Sequence, residues 1–471
     1  MIYFHWIIIT VYLVVIVLTM IAVLMDNRQP AKTMAWVMVL SFVPVVGIII
    51  YFFFGQNFRK ERIISQRSLD ELTKRSMLEF AEQRNLHLPE NSRPLLKLFA
   101  NQSMALPFKD NSVDIYTDGY NLFLALLRAI GRAQDHIHID TYIIENDPLG
   151  RLISDALIDK ARQGVEVRFI YDDVGCWRVK DKFFDRMRKE GVMVEPFMPV
   201  KFPALTGKVN YRNHRKIVVI DGKVAFTGGM NIALRYMKGF QWGIWRDTHI
   251  KIEGKAVYGL QTAFLTDWYV VDRTLITSSR YFPEMDSYGN ALMQIVTSDP
   301  VGEWRDIMQG LLIAISSSRK YFYIQTPYLL PTEPILMALK TAALAGVDIR
   351  IMIPERADTR LTHLASLSYL DDMMRAGVKI YLYQKGFLHS KLIVSDDTLS
   401  TVGSTNMDFR SFEHNFEVNA FMYDRTSALI LKEIFLKDQK DAFLLQRKQW
   451  IKRPWYQKVQ ESTIRLLAPL L

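Results

Sequence analysis

The chain of 471 residues contains a single cysteine, Cys176. One thiol cannot form an intrachain disulfide, so the sequence excludes a disulfide-stabilised secreted scaffold and fits a reducing compartment. Nothing around this residue resembles a Cys/His nucleophile pair, and we interpret it as a core or loop residue. The sequence also lacks a cluster of His, Cys, Asp and Glu with metal-ligand spacing, so we expect no metal ion and no other cofactor.

Two stretches near the amino terminus, residues 2–24 and 34–54, contain no Asp, Glu, Lys or Arg. Each is long enough to cross the hydrocarbon core as a helix, and the short connection of residues 26–33 predicts a transmembrane hairpin within residues 1–57. A cleaved signal peptide is the alternative for the first stretch, which however lacks a basic start and a small-residue cleavage site. Pro44 in the second stretch is tolerable in lipid, where neighbouring groups satisfy the freed carbonyl.

The formal net charge is +10. A basic protein attracts nucleic acid or an anionic bilayer, and the two apolar stretches favour the bilayer. Basic residues follow the second stretch in larger number than they occur between the two stretches: Arg59, Lys60, Arg62, Arg67, Lys74 and Arg75 against Arg28 and Lys32. The charge distribution therefore predicts that the remainder of the chain is cytoplasmic. Residues 455–471 fit an interfacial helix and an ordinary terminal helix equally well.

One pattern occurs twice in the chain, in the same register. It reads HxKxxxxD, six further residues, then G[GS]xN. A single HxK is weak evidence, since a His and a Lys two residues apart are common on a strand face, but two full copies indicate a duplicated site. The copies consist of His214, Lys216, Asp221, Gly228, Gly229 and Asn231, and of His389, Lys391, Asp396, Gly403, Ser404 and Asn406.

The pattern has a direct chemical meaning. Side chains two apart on a strand share a face, so each copy presents an acid/base group beside a cation. An aspartate between two apolar runs favours a hairpin turn, and Asp221 and Asp396 are therefore interpreted as turn formers within the motif. The asparagines Asn231 and Asn406 supply amide donors beside glycines that allow close approach. Two such sets suit a phosphodiester.

The duplication extends beyond the motif. Thr141 in HIDTY matches Thr326 in YIQTPY, and Gly164 in ARQGVEVR matches Gly346 in ALAGVDIR. Strands alternate with helices in both halves, which predicts an α/β fold: a mixed sheet with helices on both faces, built from two tandem domains related by a pseudo-twofold axis. We place these domains at residues 58–290 and 291–471.

Each half also carries a carboxylate on a later strand, Asp247 in WRDTHI and Glu417 in NFEVNAF. A buried catalytic imidazole needs an acceptor for its second nitrogen, and a carboxylate is the usual one. A surface acid on an edge strand is the alternative. The apolar and aromatic flanks of both acids favour the orienting role.

These motifs resemble the HKD motif of the phospholipase D superfamily, and the chain is similar to its bacterial cardiolipin synthases. The segment WVMVLSFVPVVGIIIYFFFG resembles the membrane segment that precedes the catalytic domains in that family. The one departure is Gly229, where the second copy has Ser404. The resemblance implies an enzyme of the bacterial plasma membrane, with phosphatidylglycerol and cardiolipin as partners and no nucleic acid.

The resemblance also implies roles for the motif residues, including Asp221 and Asp396 in the catalytic set. His214 is the expected nucleophile and His389 the expected acid/base, an assignment that the repeat symmetry leaves open to exchange. The lysines Lys216 and Lys391 and the two asparagines would hold the phosphoryl oxygens. Four alternatives stay open: a membrane phospholipase, a transferase with another alcohol acceptor, a nuclease of the superfamily, and a catalytically silent membrane scaffold.

Overall fold

The computed structural model describes residues 2–25, 30–51, 65–82, 89–200 and 210–468. The chain separates into two compact units. One consists of residues 1–61 with 200–211, and the other of residues 62–199 with 212–471. All motif residues belong to the second unit.

The described residues of the first unit form the helices α1 Ile2–Met25, α2 Pro30–Phe42 and α3 Pro44–Ile50. Within the described part of the chain, Tyr3–Met25 is the helix that is long and apolar enough to cross a membrane. Most of its large apolar side chains are exposed, as expected for a helix that faces lipid rather than a protein core. The first predicted span is therefore a helix over its whole length.

The second predicted span differs from the expectation of one continuous helix. Val43, with φ −137° and ψ 63°, interrupts the helical backbone, and Pro44 starts α3. The physical reason is that proline has no N–H to donate and its ring crowds the preceding turn, so it is better placed at the first turn of a new helix. Residues 52–54 of this span, and the loop residues 26–29, lie outside the described residues.

The first repeat of the second unit begins with helices and continues as alternating strands and helices. Its helices are α4 Gln66–Glu82, α5 Arg93–Ser103, α6 Gly119–Arg132, α7 Pro148–Arg162, α8 Asp181–Lys189, α9 Arg235–Lys238 and α10 Val257–Asp272, with 3-10 turns at Glu90–Ser92 and Ser279–Tyr281. Its strands are β1 Phe108–Tyr116, β2 His136–Thr141, β3 Glu166–Asp172, β4 Met193–Phe197, β5 Arg212–Asn213, β6 Lys216–Ile220, β7 Val224–Gly228, β8 Ile244–Arg246 and β9 His249–Glu253.

The second repeat follows the same order. Its strands are β10 Ala291–Ser298, β11 Tyr321–Gln325, β12 Leu329–Leu330, β13 Asp348–Pro354, β14 Lys379–Tyr383, β15 Gly386–Leu388, β16 Leu392–Ser395, β17 Leu399–Gly403, β18 Met407–Asp408, β19 Asn415–Met422 and β20 Ala442–Leu444. Its helices are α11 Asp306–Ser317, α12 Glu333–Leu344, α13 Arg360–Leu367, α14 Leu370–Arg375, α15 Phe409–Glu413, α16 Arg425–Gln439, α17 Arg447–Trp450 and α18 Trp455–Arg465.

One large sheet runs through both repeats, and its strand order is symmetric about the centre except for the additional edge strand β20. The order is β20-β14-β13-β11-β16-β17-β19-β10-β1-β9-β7-β6-β2-β3-β4, with the antiparallel β1–β10 pair in the middle. In each half, three neighbouring strands are parallel, β2-β3-β4 and β11-β13-β14, and the strands nearer the centre are antiparallel. The edge strand β20 of the second half is antiparallel to β14. The predicted mixed sheet with pseudo-twofold symmetry is confirmed.

Alternate side chains of β2 contact helices on opposite faces of the sheet. Ile139 is fully buried in the apolar cluster that includes α6 and α7. His138 points the other way and stacks on Phe264 of α10, with ring centroids 4.4 Å apart. This is the period-two pattern that a sheet covered on both faces requires.

Helix α5 packs against the second repeat, although its position in the sequence places it with the first. Phe99 contacts Phe421, with ring centroids 4.6 Å apart, and Gln102 donates a hydrogen bond of 2.6 Å to Gln309 on α11. The core of the second repeat therefore includes a helix from the predicted 58–290 segment. The domain boundaries at residues 58–290 and 291–471 stay a prediction.

Helix α18 packs on the domain through one face and exposes another. Ala468 and Glu461 are buried, and Arg453 holds the Glu461 carboxylate at 2.6 Å. Trp455 and Val459 stay exposed. The terminal segment is thus a helix packed on the domain that still presents apolar side chains to its surroundings.

Candidate active site

The motif histidines lie where two short strands meet, not within one strand as the i, i+2 pattern predicts. Strand β5 ends at Asn213 and β6 begins at Lys216, so His214 is held by another contact. Its backbone N–H donates to the carbonyl of Phe416, at 2.9 Å. His389 repeats this geometry, since its N–H donates to the carbonyl of Arg246 at 2.7 Å.

This arrangement results from parallel pairing between the repeats. Strand β5 pairs with the start of β19, and β15 pairs with β8. Each histidine follows one of these short strands, and each partner strand runs directly into a carboxylate residue. The backbone therefore brings the histidine of one repeat beside the carboxylate of the other.

The two histidine–carboxylate pairs are crossed between the repeats. His214 Nδ1 lies 3.0 and 3.1 Å from the two carboxylate oxygens of Glu417. His389 Nδ1 lies 2.7 Å from Asp247 Oδ2. Both carboxylates are fully buried. The structure thus brings together all four residues that the sequence singled out, in pairs that the sequence did not specify.

The electrostatics of these pairs favour neutral imidazoles next to ionised acids. Burial, opposed by the partner carboxylate, lowers the pKa of His214 to about 4, and burial together with the Lys391 charge lowers that of His389 to about 4. Burial of Glu417 would raise its pKa, but His214 and Lys216 outweigh it and lower that pKa to about 2. Lys391 and His389 likewise keep the pKa of Asp247 low. With Nδ1–H donating to the acid, each Nε2 carries a lone pair, and in His389 that lone pair faces Lys391 Nζ at 3.1 Å.

The motif lysines are buried beside the histidines. Lys216 Nζ donates to the His214 carbonyl at 2.6 Å, and Lys391 Nζ to the His389 carbonyl at 2.5 Å. Burial lowers the pKa of Lys216 to about 7 and that of Lys391 to about 8, and the repulsion between the two ammonium groups contributes to the shift at Lys216. An anion bound between the two ammonium groups would raise the pKa of both lysines and so favour their protonated forms.

The departure of the first motif at Gly229 has a steric cause. A Cβ at this position would lie 2.1 Å from Asp247 Oδ1, so the carboxylate occupies the space of a side chain. In the second repeat Ser404 is accommodated, and its hydroxyl donates to Glu417. One acid is thus fixed by a serine hydroxyl, and the other by the backbone N–H of Thr248 at 2.7 Å.

The motif asparagines are buried, and the protein already engages part of each amide. Asn231 accepts from the N–H of Ile143 at 3.2 Å and donates to the Tyr236 hydroxyl at 2.5 Å. The side-chain oxygen of Asn406 has no hydrogen-bond partner within the described residues. Their role at the phosphate stays a prediction.

The motif aspartates lie at the opposite end of the hairpin from the histidines. Both have left-handed backbone, with φ 52° at Asp221 and 51° at Asp396. The Asp221 carboxylate accepts the backbone N–H groups of residues 134, 135 and 136, and Asp396 accepts those of residues 319, 320 and 321. They tie the turn to the start of the neighbouring strand. These contacts fit the interpretation as turn formers, and a part in the catalytic set stays a prediction.

Aromatic side chains around the histidines were not identified from the sequence. The Tyr142 ring lies 5.0 Å from the His214 ring. Trp245, Phe387 and Tyr236 lie 5.1, 5.6 and 6.1 Å from the His389 ring. These rings provide the desolvation that lowers the histidine pKa values. Their only signal in the sequence is proximity to the motifs.

Two buried arginines were also missed. Arg215 donates from Nε to the Glu417 carbonyl at 3.1 Å and pairs with Asp267 at 2.6 Å. Arg246 donates to the Asp247 carbonyl and pairs with Asp438 at 2.7 Å. Each arginine thus holds the backbone of one histidine-orienting acid. They were missed because they come from different positions of the two repeats, one inside HxK and one before the acid.

Within the described residues, no group of three or more His, Cys, Asp and Glu side chains is arranged to hold a metal ion. Lys216 and Lys391 are the cations that lie directly beside the two histidines.

Comparison with known proteins places this geometry in context. The family description "Cardiolipin synthase, PLD-like domain" matches residues 126–268 and 311–439, and "Phospholipase_D-nuclease N-terminal" matches residues 8–56. The chain is 39% identical over 467 residues to "Major cardiolipin synthase ClsA" of Bacillus subtilis, covering 97% of both chains. It is 38% identical to a "Cardiolipin synthase" of Listeria innocua, covering 98% of this chain and 99% of that one.

Among solved structures, the phosphatidylserine synthase of Haemophilus influenzae aligns with a TM-score of 0.61. The alignment covers 80% of this chain and 100% of that one, at 13% identity. At that identity the likeness shows a shared fold only.

Proposed function

The chain belongs to the cardiolipin synthase family of the phospholipase D superfamily, and from that premise we propose that its two repeats form one site, which transfers a phosphatidyl group from one phosphatidylglycerol to another. The chain is a phosphatidyltransferase that acts on phospholipid in a membrane context. The observation that carries the single-site proposal is the crossing of the His214–Glu417 and His389–Asp247 pairs, which leaves neither repeat complete without the other.

In the first step, Nε2 of His214 attacks the phosphorus of the donor lipid. The bond from phosphorus to the glycerol oxygen breaks, and His389 gives that oxygen a proton, so free glycerol leaves and a phosphatidyl-histidine remains. The entering phosphodiester anion favours the protonated form of His389, because an adjacent anion raises the pKa of an imidazole. Glu417 holds the proton on Nδ1 of His214 and stabilises the charge that develops there.

In the second step, a hydroxyl of another phosphatidylglycerol attacks the same phosphorus. His389 takes the hydroxyl proton, the phosphorus–nitrogen bond breaks, and cardiolipin forms. His214 is again neutral, and both histidines are ready for the next cycle. Lys216, Lys391 and the motif asparagines neutralise and hold the phosphoryl oxygens through both steps.

The chain associates with the membrane through its amino-terminal apolar helix. We further propose that residues 34–54 also cross the bilayer despite the break at Val43, with the catalytic repeats on the cytoplasmic side. The excess of basic residues after this segment supports that orientation.

Purified enzyme in vesicles of phosphatidylglycerol alone should form cardiolipin and free glycerol in equal amounts. No nucleotide is needed because the donor's own phosphodiester supplies the leaving group, and a chelator should not reduce the rate because lysines neutralise the charge. Lipid and glycerol products are quantified from headgroup-labelled substrate. Phosphatidate as the main product would identify a phospholipase instead, and a strict metal requirement would refute the lysine assignment.

The pH dependence of kcat/KM should be displaced towards acid. His214 must be neutral to attack, and its pKa is lowered from 6.5 to about 4, so activity should fall on the acid side only near pH 4. On the alkaline side, kcat/KM should fall above about pH 4, where His389 of the free enzyme loses the proton that it donates to the leaving glycerol, and further near pH 7, where Lys216 loses its proton. Cardiolipin formation in mixed micelles, buffered across this range, measures the profile. An acid limb at the ordinary histidine value would contradict the buried, crossed geometry.

A further inference from the structure

The two repeats carry an arginine at the same place, four residues after the motif asparagine: Arg235 and Arg410. The surroundings of the two positions also match. Ile144 forms a parallel bridge with Ile232, and Leu329 pairs in parallel with Met407. The residues that follow the first member of each pair are therefore structurally equivalent. They are Glu145 in the first repeat and Leu330 in the second.

The first arginine has an acidic partner. Arg235 pairs with the carboxylate of Glu145, and its guanidinium lies 5.5 Å from the Tyr236 ring and 5.6 Å from the Trp245 ring. Those two rings line His389. In the first repeat, the Glu145 carboxylate thus neutralises the charge of Arg235, which lies beside the rings that line His389.

In the second repeat, the position equivalent to Glu145 does not carry an acid. Leu330 occupies the glutamate position and is buried in an apolar cluster with Ala365 and Ala468. Arg410 is half-buried, and among the described residues its guanidinium makes no hydrogen bond or ion pair. A planar cation with several donors, partly withdrawn from water and without a counter-charge, is suited to bind an anion.

Arg410 lies on the nucleophile side of the site. Arg235 lies beside the Tyr236 and Trp245 rings that line His389, and the pseudo-twofold relation of the repeats puts Arg410 in the equivalent position relative to His214. In agreement with this placement, burial and the Asp172 charge raise the pKa of Tyr142, and the Arg410 guanidinium opposes that rise. The Tyr142 ring in turn lies 5.0 Å from the His214 ring and 5.3 Å from Lys216 Nζ.

We propose that Arg410 binds the phosphodiester anion of the acceptor phosphatidylglycerol and so selects a lipid acceptor over glycerol or water. The inference rests on the proposed transfer between two phosphatidylglycerols. In the product, a three-carbon glycerol bridge separates the two phosphates, so the acceptor phosphate must lie one glycerol away from the phosphorus under attack. Lys216 and Lys391 are committed to the reacting phosphate, and the second anion needs a cation of its own.

Two reactions of the full-length enzyme separate this role from the chemistry. Cardiolipin formation needs the acceptor phosphate. Exchange of labelled free glycerol into phosphatidylglycerol passes through the same phosphatidyl-histidine but needs no second phosphate. Arg410→Gln should lower cardiolipin formation at least about tenfold, the scale of a lost hydrogen bond to a charged group, and leave glycerol exchange within about twofold. Arg410→Lys should recover part of the loss.

Arg235→Gln is the matched control, because it removes the equivalent arginine whose charge is already neutralised. It should leave the ratio of cardiolipin formation to glycerol exchange at the wild-type value. The inference is overturned if Arg410→Gln keeps the wild-type ratio, or if it lowers both reactions equally. A wild-type enzyme that exchanges glycerol but forms no cardiolipin would instead overturn the transfer proposed above, and with it this inference.

Discussion

Replacement of either motif histidine by alanine is expected to abolish turnover. His214 and His389 act on the same phosphorus, one as nucleophile and one as proton carrier, so the loss of either stops both steps. Catalytic groups that act as a unit show losses that do not add, and the double variant should be no worse than either single one. Cardiolipin formation and glycerol exchange by purified variants in phosphatidylglycerol vesicles measure the effect. More than about a tenth of wild-type activity in either single variant would contradict a single composite site.

Asp221→Asn is the control within the same motif. The Asp221 carboxylate binds three backbone N–H groups at the far end of the hairpin. The amide keeps one acceptor and tolerates the left-handed backbone, but it loses charge-assisted hydrogen bonds worth about 1–3 kcal/mol. The melting temperature should therefore fall, while the activity of the folded enzyme stays within about twofold of wild type.

Removal of either orienting carboxylate should have the second-largest effect. In Glu417→Gln, the amide can donate to Nδ1 of His214 and so stabilise the tautomer with the proton on Nε2, which cannot attack phosphorus. We expect kcat to fall by about a thousandfold with little change in KM, by analogy with the loss of an orienting acid in other catalytic histidine pairs. Asp247→Asn should act in the same way on the proton transfers of His389.

Glu253→Gln provides the control for these variants. Glu253 lies on β9, shortly after Asp247, but its carboxylate pairs with Lys251 at 2.9 Å and not with a histidine. Its replacement should leave kcat within about twofold of wild type, as expected for a surface ion pair. Equal activity of Glu417→Gln and Glu253→Gln would show that the crossed pairs do not orient the histidines.

The local features of the fold could be predicted because they depend on short-range patterns. Both motif hairpins form as expected, β6 with β7 and β16 with β17, and their turns contain the left-handed residues that Asp221-Gly222 and Asp396-Asp397 indicate. The alternation of strands and helices in the sequence predicted the mixed sheet. The internal duplication predicted the pseudo-twofold symmetry of that sheet.

The features that escaped prediction depend on contacts between distant segments. Nothing in the sequence around His214 indicates that Glu417, rather than Asp247, would be its partner, because that pairing follows from the parallel contact of β5 with β19. An alignment of the two repeats does not match Arg215 with Arg246, because Arg215 follows a motif histidine whereas Arg246 precedes an orienting acid. The two side chains nevertheless hold the backbone of Glu417 and Asp247 in the same way. The break at Val43 was missed because proline can be accommodated in a lipid-embedded helix, and the pattern alone does not show whether the helix continues.

The stereochemical course at phosphorus tests the central claim most directly, namely that one composite site transfers the phosphatidyl group through a histidine. Phosphatidylglycerol made chiral at phosphorus with oxygen isotopes would be converted to cardiolipin, and the configuration of the transferred phosphate compared with that of the donor. Two in-line displacements, first by His214 and then by the acceptor hydroxyl, each invert the configuration. The account therefore predicts net retention, and net inversion, the signature of direct attack by the second lipid, would contradict it.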